Sequence, residues 1–300
     1  MNITSGSITI GRDELMTDAM KILVTGANGQ LGQELIRLPE RPDIEMTGFG
    51  RNELNVTDPE QCRNMIRACK PDAVIHCAAY TKVDQAESEP DVAFRVNAEG
   101  ARNAALAAEQ IGAKFVYIST DYVFDGKADR PYLEHDPPNP LSVYGKTKLA
   151  GEEFVKSISS RHFIVRTSWM YGKHGANFVK TMLKLAEERD RLKVVHDQIG
   201  SPTYTLDLAQ FLLELVKTDY YGIYHASNSG ICSWYEFAKA IFEERGLNVR
   251  VEPCTTEEFL RPAPRPAWSV LDHGAIRVHG FEPLRPWREA LRNYLNEAHT

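Results

Sequence analysis

Short apolar runs alternate with stretches of helical periodicity along the chain from Met20 onward. The runs are almost continuously apolar, as in strands covered on both faces, and their alternation with helices indicates βαβ units. The sequence therefore predicts an α/β fold with a doubly wound parallel sheet. Predicted strands span 21–26, 45–50, 73–79, 114–120, 162–168 and 222–227, with a weaker one at 192–198, and predicted helices span 30–38, 59–69, 90–111 and 143–158.

A glycine-rich turn follows the first predicted strand, in the stretch "TGANGQLGQEL". Gly26, Gly29 and Gly32 form a G-x-x-G-x-x-G pattern between a strand and a helix. The first glycine permits a tight turn, the second lets the backbone approach a pyrophosphate, and the third lets helix and strand pack closely. The free N–H groups at the helix start would favour the phosphates. The pattern predicts a dinucleotide site of the Rossmann type.

The end of the second predicted strand bears on which dinucleotide binds. A carboxylate there would hold the 2′-hydroxyl of NAD, whereas an arginine suits the 2′-phosphate of NADP. The sequence has Arg51 at this position, and the first carboxylate follows only at Glu53. We therefore predict NADPH as the cofactor, with NADH tolerated, and Arg51 as the discriminating residue. The alternative is a solvated arginine without a partner.

The pattern changes after about residue 169, where further helical stretches are separated by loops. One loop contains "RPAPRPAW", and its prolines indicate extended or turn structure. Residues 1–19 lack the apolar region of a signal peptide. The predicted divisions are a disordered extension or tag over 1–19, a dinucleotide-binding domain over 20–168, and a smaller C-terminal α/β lobe over 169–300 that mainly binds substrate and crosses back to the sheet.

The stretch "SVYGKTKLAGEEF" places Tyr144 and Lys148 four residues apart at the start of a predicted helix. That spacing puts both side chains on one helical face, where an ammonium would lower the phenol pKa and suit the tyrosine to proton transfer. Thr120 ends the fourth predicted strand, at the sheet edge where ligands of α/β proteins bind. We expect the three groups to converge. The alternative is a helix-start tyrosine and a surface lysine without chemistry.

Composition and charge exclude several classes of function. The formal net charge is −6, and no Lys/Arg cluster suggests nucleic acid as a partner. No apolar run reaches membrane-spanning length, so no membrane association is expected. The five cysteines include no C-x-x-C pair, which favours reduced thiols and a cytoplasmic location. Because the histidines and carboxylates show no metal-ligand spacing, no metal is predicted.

The glycine turn, "STDYVF", "SVYGKTKLAGE" and "RTSW" together resemble the extended short-chain dehydrogenase/reductases. Within them the chain is most similar to the dTDP-4-dehydrorhamnose reductase family. The blocks "AAYTKVDQAESEP", "NFVKTMLKLA" and "DQIGSPTY" carry this finer resemblance, which runs from Met20 to about residue 296.

The resemblance implies an NADPH-dependent enzyme that reduces the 4-keto group of dTDP-4-dehydro-β-L-rhamnose, the last step of dTDP-L-rhamnose synthesis. Thr120, Tyr144 and Lys148 would be the catalytic triad. Tyr144 would protonate the developing alkoxide, Lys148 would lower the Tyr144 pKa and bind the nicotinamide ribose, and Thr120 would hydrogen-bond the reacting oxygen. The partner is a small nucleotide sugar, and the sequence is compatible with a homodimer.

The resemblance also assigns residues around the two ligands. Trp169 has the alternative of a buried core ring, and Arg265 that of a loop arginine without a partner. Cofactor-binding residues would be Gly26, Gly29, Gln30, Leu31, Gly32, Arg51, Asn55, Val56, Ala79, Tyr80, Thr81, Tyr144 and Lys148. Substrate-binding residues would be Val83, Thr120, Asp121, Trp169, Asn177, Arg265 and Ser269, the last two suited to the diphosphate.

Rival functions come from the same superfamily and from outside catalysis. A nucleotide-sugar 4,6-dehydratase typically carries Thr-Asp-Glu, whereas this chain has Thr120-Asp121-Tyr122. An epimerase typically carries serine at the Thr120 position. Another nucleotide-sugar 4-ketoreductase remains open, as does a non-catalytic NADP-binding subunit similar to the regulatory subunit of methionine adenosyltransferase. The intact triad argues against the last.

Overall fold

A computed structural model describes residues 19–297. Its strands are β1 (Met20–Thr25), β2 (Ile44–Phe49), β3 (Ala73–His76), β4 (Lys114–Thr120), β5 (His162–Thr167), β6 (Met170–Tyr171), β7 (Arg191–Val195), β8 (Ile199–Gly200), β9 (Thr203–Tyr204), β10 (Gly222–His225), β11 (Cys232–Ser233) and β12 (Arg250–Cys254). Its α-helices are α1 (Gln30–Ile36), α2 (Pro59–Cys69), α3 (Val83–Ala86), α4 (Pro90–Phe94), α5 (Gly100–Gln110), α6 (Val143–Ile158), α7 (Phe178–Glu188), α8 (Thr205–Val216), α9 (Trp234–Glu244), α10 (Gly274–Val278) and α11 (Trp287–Glu297).

The centre of the fold is a six-stranded parallel sheet with the strand order β10-β5-β4-β3-β1-β2. Strands β3 and β4 are buried throughout, as expected for strands covered by helices on both faces. The chain passes from β1 to β2 on one side and then returns to β3 on the other. The carboxyl ends of β1 and β3 therefore flank a topological switch point, where ligands bind in open α/β sheets.

The predicted α/β fold with a doubly wound parallel sheet is confirmed. Each strongly predicted strand lies in the sheet, including the late one that becomes β10. The weaker strand predicted at 192–198 forms β7, which pairs with β12 outside this sheet. The single helix predicted at 90–111 is interrupted by a π-helical turn over Arg95–Glu99, so it consists of α4, this turn and α5.

A second apolar cluster lies outside the sheet, among α7, α9, α11 and the short strand pairs. Aromatic rings dominate its centre, where Tyr171 packs between Tyr204, Phe237 and Tyr294. Helix α8 instead packs with α1 and the sheet. The division at residue 168 stays a prediction, and residues 1–18 of the predicted extension lie outside the described residues.

Candidate active site

A cleft of about 730 Å³ opens at the carboxyl ends of the central strands. Its size is in the range of small-molecule and cofactor sites. It brings together most of the residues singled out in the sequence. The predicted site residues that line it are Gly26, Gly29, Gln30, Leu31, Gly32, Arg51, Asn55, Val56, Ala79, Tyr80, Thr81, Val83, Thr120, Asp121, Tyr144, Lys148 and Trp169.

The glycine turn leaves no room for side chains at two of its positions. Gly26 has a φ of 65°, and a Cβ there would lie 2.6 Å from the backbone nitrogen of Ala78. A Cβ on Gly32 would lie 2.4 Å from the carbonyl oxygen of Gly26. Glycine is therefore required at both positions, and the bare backbone at the start of α1 forms a cradle that fits a pyrophosphate.

Arg51 is exposed on the turn after β2 and borders the cleft. The nearby carboxylate of Glu53 accepts a hydrogen bond of 2.7 Å from the backbone nitrogen of Gly50. Arg51 therefore borders the cleft just after β2, while the Glu53 carboxylate is hydrogen-bonded within the turn. This arrangement fits the predicted preference for NADPH.

The three expected catalytic side chains come from two adjoining elements. Thr120 ends β4, while Tyr144 and Lys148 lie one turn apart at the start of α6. Ser142 fixes that start, because its hydroxyl accepts a hydrogen bond of 3.1 Å from the backbone nitrogen of Gly145. The Thr120 hydroxyl donates to Asp121 Oδ1 at 3.0 Å and hydrogen-bonds the Tyr144 phenol. Thr120 and Tyr144 are therefore in contact, and Lys148 lines the same cleft.

The phenol of Tyr144 does not have the lowered pKa expected from the sequence. The ring is only partly buried, but desolvation of its hydroxyl raises the pKa to about 12. The hydrogen bond with Thr120 lowers the pKa, and the charge of Asp121 raises it. The expectation was wrong because spacing reveals the lysine but not the desolvation. A phenol that keeps its proton at neutral pH is the form that a proton donor requires.

Lys148 is buried beneath the cleft with only 2% of its surface exposed. Its Nζ donates a hydrogen bond of 2.6 Å to the carbonyl oxygen of Ile118 and lies 4.0 Å from the centroid of the Tyr117 ring. Desolvation lowers the pKa of Lys148 to about 7, against contributions from Glu152 and Cys77 that raise it. The ammonium can therefore release or hold its proton near neutral pH.

A buried ion pair lies next to this lysine, and the sequence analysis missed it. Arg166 donates to the Glu152 carboxylate from Nε at 2.9 Å and from Nη2 at 2.7 Å. Ser119, the neighbour of Thr120, donates to the same carboxylate at 2.5 Å. The pair ties β4, β5 and α6 together behind the catalytic groups. The available signal was the position of Glu152, four residues after Lys148 on the same helix.

Asp121 is almost fully buried at the cleft wall. Desolvation raises its pKa to about 6, although hydrogen bonds from Ser269 and Thr120 lower it. Ser269 therefore lies behind the cleft, next to Asp121, and does not line it. Its hydroxyl oxygen also lies 3.4 Å from the carbonyl oxygen of Ile199.

Asn177 and Arg265 also lie outside the residues that line the cleft. Asn177 caps α7 and donates from Nδ2 to Gln30 Oε1 at 3.1 Å, which joins it to the cofactor side. The Arg265 guanidinium donates one hydrogen bond to each carboxylate oxygen of Asp84, both at 3.0 Å. The alternative of an arginine without a partner is therefore wrong, and its proposed diphosphate role stays a prediction.

Trp169 borders the cleft and is not the buried core ring of the alternative interpretation. Its ring stacks on Trp234 with 3.7 Å between centroids. Several further cleft residues were missed by the sequence analysis. Most lie at the end of a sheet strand or within two residues after it, so the rule that ligands bind at strand ends could have found them. They include Cys77, Ala78, Tyr122, Thr167, Ser168 and Met170.

Two kinds of feature are absent from residues 19–297, a membrane-spanning helix and a cluster of metal ligands. No helix within this range has the length and apolar character needed to cross a membrane. Within the same residues, histidine, cysteine and carboxylate side chains nowhere gather in a group of three that could hold a metal ion.

A parallel sheet with a glycine turn at its switch point, joined to a Thr-Tyr-Lys set, defines the class of the extended short-chain dehydrogenase/reductases. Comparison with known proteins narrows this class. The family model described as the RmlD substrate binding domain matches residues 20–300. The chain belongs to this family, the family of the dTDP-4-dehydrorhamnose reductases. The resemblance found in the sequence is thereby confirmed.

Three similar proteins illustrate the range of the family. The spore coat polysaccharide biosynthesis protein SpsK of Bacillus subtilis is 52% identical over 92% of this chain and 97% of its own. A probable dTDP-4,6-dihydroxy-2-methyloxan-3-one 4-ketoreductase of Streptomyces antibioticus is 41% identical over 91% of this chain and 94% of its own. The dTDP-4-dehydrorhamnose reductase of Bacillus anthracis, solved in complex with NADP, is 48% identical with a TM-score of 0.91, covering 93% of this chain and 99% of that one.

Proposed function

We propose that the chain is an oxidoreductase that uses NADPH to reduce the 4-keto group of dTDP-4-dehydro-β-L-rhamnose to dTDP-L-rhamnose. One observation carries the proposal. Thr120, Tyr144 and Lys148 line the same cleft as the glycine cradle, in a chain of the dTDP-4-dehydrorhamnose reductase family. The NADP complex of the similar Bacillus anthracis reductase supports the cofactor.

The three expected catalytic residues have separate tasks. NADPH supplies the hydride when it is bound in the cleft. Tyr144 holds a proton at its hydroxyl and gives it to the oxygen that gains negative charge at the sugar C4. Thr120 hydrogen-bonds that oxygen and holds the phenol in place. Lys148 stabilises the negative charge left on Tyr144 as the proton leaves, and it hydrogen-bonds the nicotinamide ribose.

The remaining cleft residues would bind the two ligands along its length. The glycine turn with Gln30 and Leu31 would hold the pyrophosphate, while Asn55 and Val56 flank the adenine. Ala79, Tyr80 and Thr81, which follow β3, would lie alongside the cofactor. Val83, Asp121, Trp169 and Asn177 would face the nucleotide sugar, and Arg265 and Ser269 would bind its diphosphate.

The proposal is tested by NADPH oxidation with the unstable keto sugar generated in place. A 4,6-dehydratase and a 3,5-epimerase would make dTDP-4-dehydro-β-L-rhamnose in the same vessel. We expect NADPH loss that requires the epimerase and yields dTDP-L-rhamnose. Tight NADPH binding without any oxidation would contradict the proposal and favour a non-catalytic NADP-binding subunit.

A second candidate is a 4-ketoreductase for a different nucleotide sugar. The similarity to the Streptomyces antibioticus protein supports it, because that relative is named as a ketoreductase of a different keto sugar. The two candidates share the same cleft chemistry and differ only in the sugar. Oxidation that is equally fast without the epimerase would favour this second candidate.

The chain would consist of two parts with different ligands. We propose that 20–168 binds the dinucleotide and that 169–300 mainly binds substrate, with β10 returning to the sheet. Five free cysteines support a cytoplasmic location. We also propose a homodimer, which sedimentation of the purified protein would test by its mass.

A further inference from the structure

Trp169 has an uncommon backbone conformation at the wall of the cleft. It is the second residue after β5, and its φ of 47° lies in the left-handed region that bulky residues rarely adopt. Such a conformation persists only where surrounding contacts hold it in place. These contacts therefore decide where the indole stands relative to the cleft.

The main contact of the Trp169 ring is with Trp234, the first residue of α9. The two indoles stack with 3.7 Å between centroids and 11° between planes. Phe178 packs on Trp234 from α7, with 4.5 Å between ring centroids. At the edge of the Trp169 ring, Gly200 leaves the space that the ring needs, because a Cβ there would lie 2.7 Å from two of its atoms.

The start of α9 holds Trp234 firmly. The Ser233 hydroxyl accepts a hydrogen bond of 3.1 Å from the backbone nitrogen of Glu236, and the Glu236 carboxylate accepts one of 2.7 Å from the backbone nitrogen of Ser233. This reciprocal capping box fixes the first turn of the helix. Trp234 itself does not belong to the residues that border the cleft, so it acts on the cleft through Trp169.

We propose that Trp234 is a positioning residue for the nucleotide-sugar substrate, because its stacked ring holds Trp169 as an aromatic wall on the sugar side of the cleft. The inference rests on the proposed function. An aromatic face suits the C–H groups and the methyl group of a 6-deoxyhexose. Such a wall contacts the substrate equally before and during the reaction, so its loss raises KM and leaves kcat nearly unchanged.

The test compares steady-state constants of Trp234→Leu, Trp234→Phe and wild type, with both ligands varied. We expect Trp234→Leu to raise the KM for the keto sugar about tenfold and to leave the KM for NADPH unchanged. Trp234→Phe retains a ring and should restore most of the affinity. The matched control is Trp287→Leu, because Trp287 packs in the same apolar cluster, on Phe237, but does not border the cleft.

A second variant keeps the proposal testable if Trp234→Leu does not fold. Gly200→Ala adds a methyl group against the Trp169 ring, and 2.8 Å from the Ser269 hydroxyl oxygen, and leaves Trp234 intact, so it should also raise the sugar KM. A folded Trp234→Leu or Gly200→Ala protein with unchanged sugar KM overturns the proposal, as does an equal rise in Trp287→Leu. Failure of the proposed function is distinct, since wild type would then not oxidise NADPH with this sugar.

Discussion

At the scale of single residues, the account depends most on the Tyr144 hydroxyl, which is desolvated and stays protonated near neutral pH. Tyr144→Phe removes that proton donor and keeps the ring. We expect turnover to fall about 10²- to 10⁴-fold, the usual contribution of a positioned acid. NADPH affinity, measured by fluorescence titration, should stay near wild type. Tyr220→Phe is the control, because Tyr220 is 51% exposed and outside the cleft. Near-wild-type turnover in Tyr144→Phe would remove the phenol from the mechanism.

Lys148 should serve both the cofactor and the reaction, so its loss has two effects. In Lys148→Ala we expect turnover to collapse and NADPH to bind about tenfold more weakly, because hydrogen bonds from a charged donor are lost. Lys146→Ala, an exposed change on the same helix, is the control. Calorimetric titration with NADPH measures the second effect. Unchanged NADPH affinity in Lys148→Ala would exclude contact with the ribose.

Arg51 tests the choice between the two nicotinamide cofactors. We expect Arg51→Ala to lower kcat/KM with NADPH about tenfold or more and to change the value with NADH little, since a charge-assisted contact to the 2′-phosphate disappears. Arg67→Ala is the control, because Arg67 is exposed on α2 and outside the cleft. A constant ratio of the two kcat/KM values would mean that Arg51 is only solvated.

At the scale of secondary-structure elements, the buried Glu152–Arg166 pair joins α6 to β5. Glu152→Gln leaves the guanidinium charge buried without a countercharge, so we expect the free energy of unfolding to fall by about 3–5 kcal/mol. The adjacent Glu153 pairs with Lys156 at the surface, and Glu153→Gln should cost about 0–1 kcal/mol. Urea unfolding of both variants measures the difference. Equal decreases in the free energy of unfolding would mean that the buried pair stabilises the protein no more than the surface pair.

The same elements show what the sequence could and could not predict. Strand β4 and its final residue Thr120 were predictable, because a continuous apolar run marks a buried strand and its end marks the ligand edge. The sequence offered Glu152 as a candidate through its spacing from Lys148, but its partner Arg166 and the Trp169–Trp234 stack were not predictable, since each contact joins residues on separate elements. The raised Tyr144 pKa was missed for a related reason: desolvation depends on the enclosing fold.

At the scale of the whole molecule, several histidines are buried in the folded protein. Burial lowers the pKa of His76 to about 3 and that of His273 to about 4, and lowers that of His225 well below its usual range. Below pH 6.5 these histidines therefore take up protons in the unfolded chain but stay neutral in the folded protein. The free energy of unfolding consequently decreases as pH falls from about 6.5 toward 4. Asp121, with a raised pKa, opposes this trend but is a single group.

Urea unfolding between pH 7.5 and 4.5 measures this acid sensitivity. Each buried histidine contributes a slope of at most about 1.4 kcal/mol per pH unit within that window. His76→Phe removes one titrating group and keeps a ring beside Phe115 and Tyr117, so its stability should fall less steeply with acid. A midpoint that stays constant or rises toward pH 4.5 would contradict the burial of these histidines as neutral groups.

The most direct test of the central claim follows the transferred hydrogen. Wild-type protein would be supplied with dTDP-4-dehydro-β-L-rhamnose made in the same vessel. The NADPH would carry one deuterium at nicotinamide C4, and the two possible positions of that deuterium would be tested in separate reactions. The account predicts dTDP-L-rhamnose with one deuterium at sugar C4, seen by mass and NMR spectra. A reduced sugar without deuterium at C4 from either cofactor would contradict hydride delivery in this cleft.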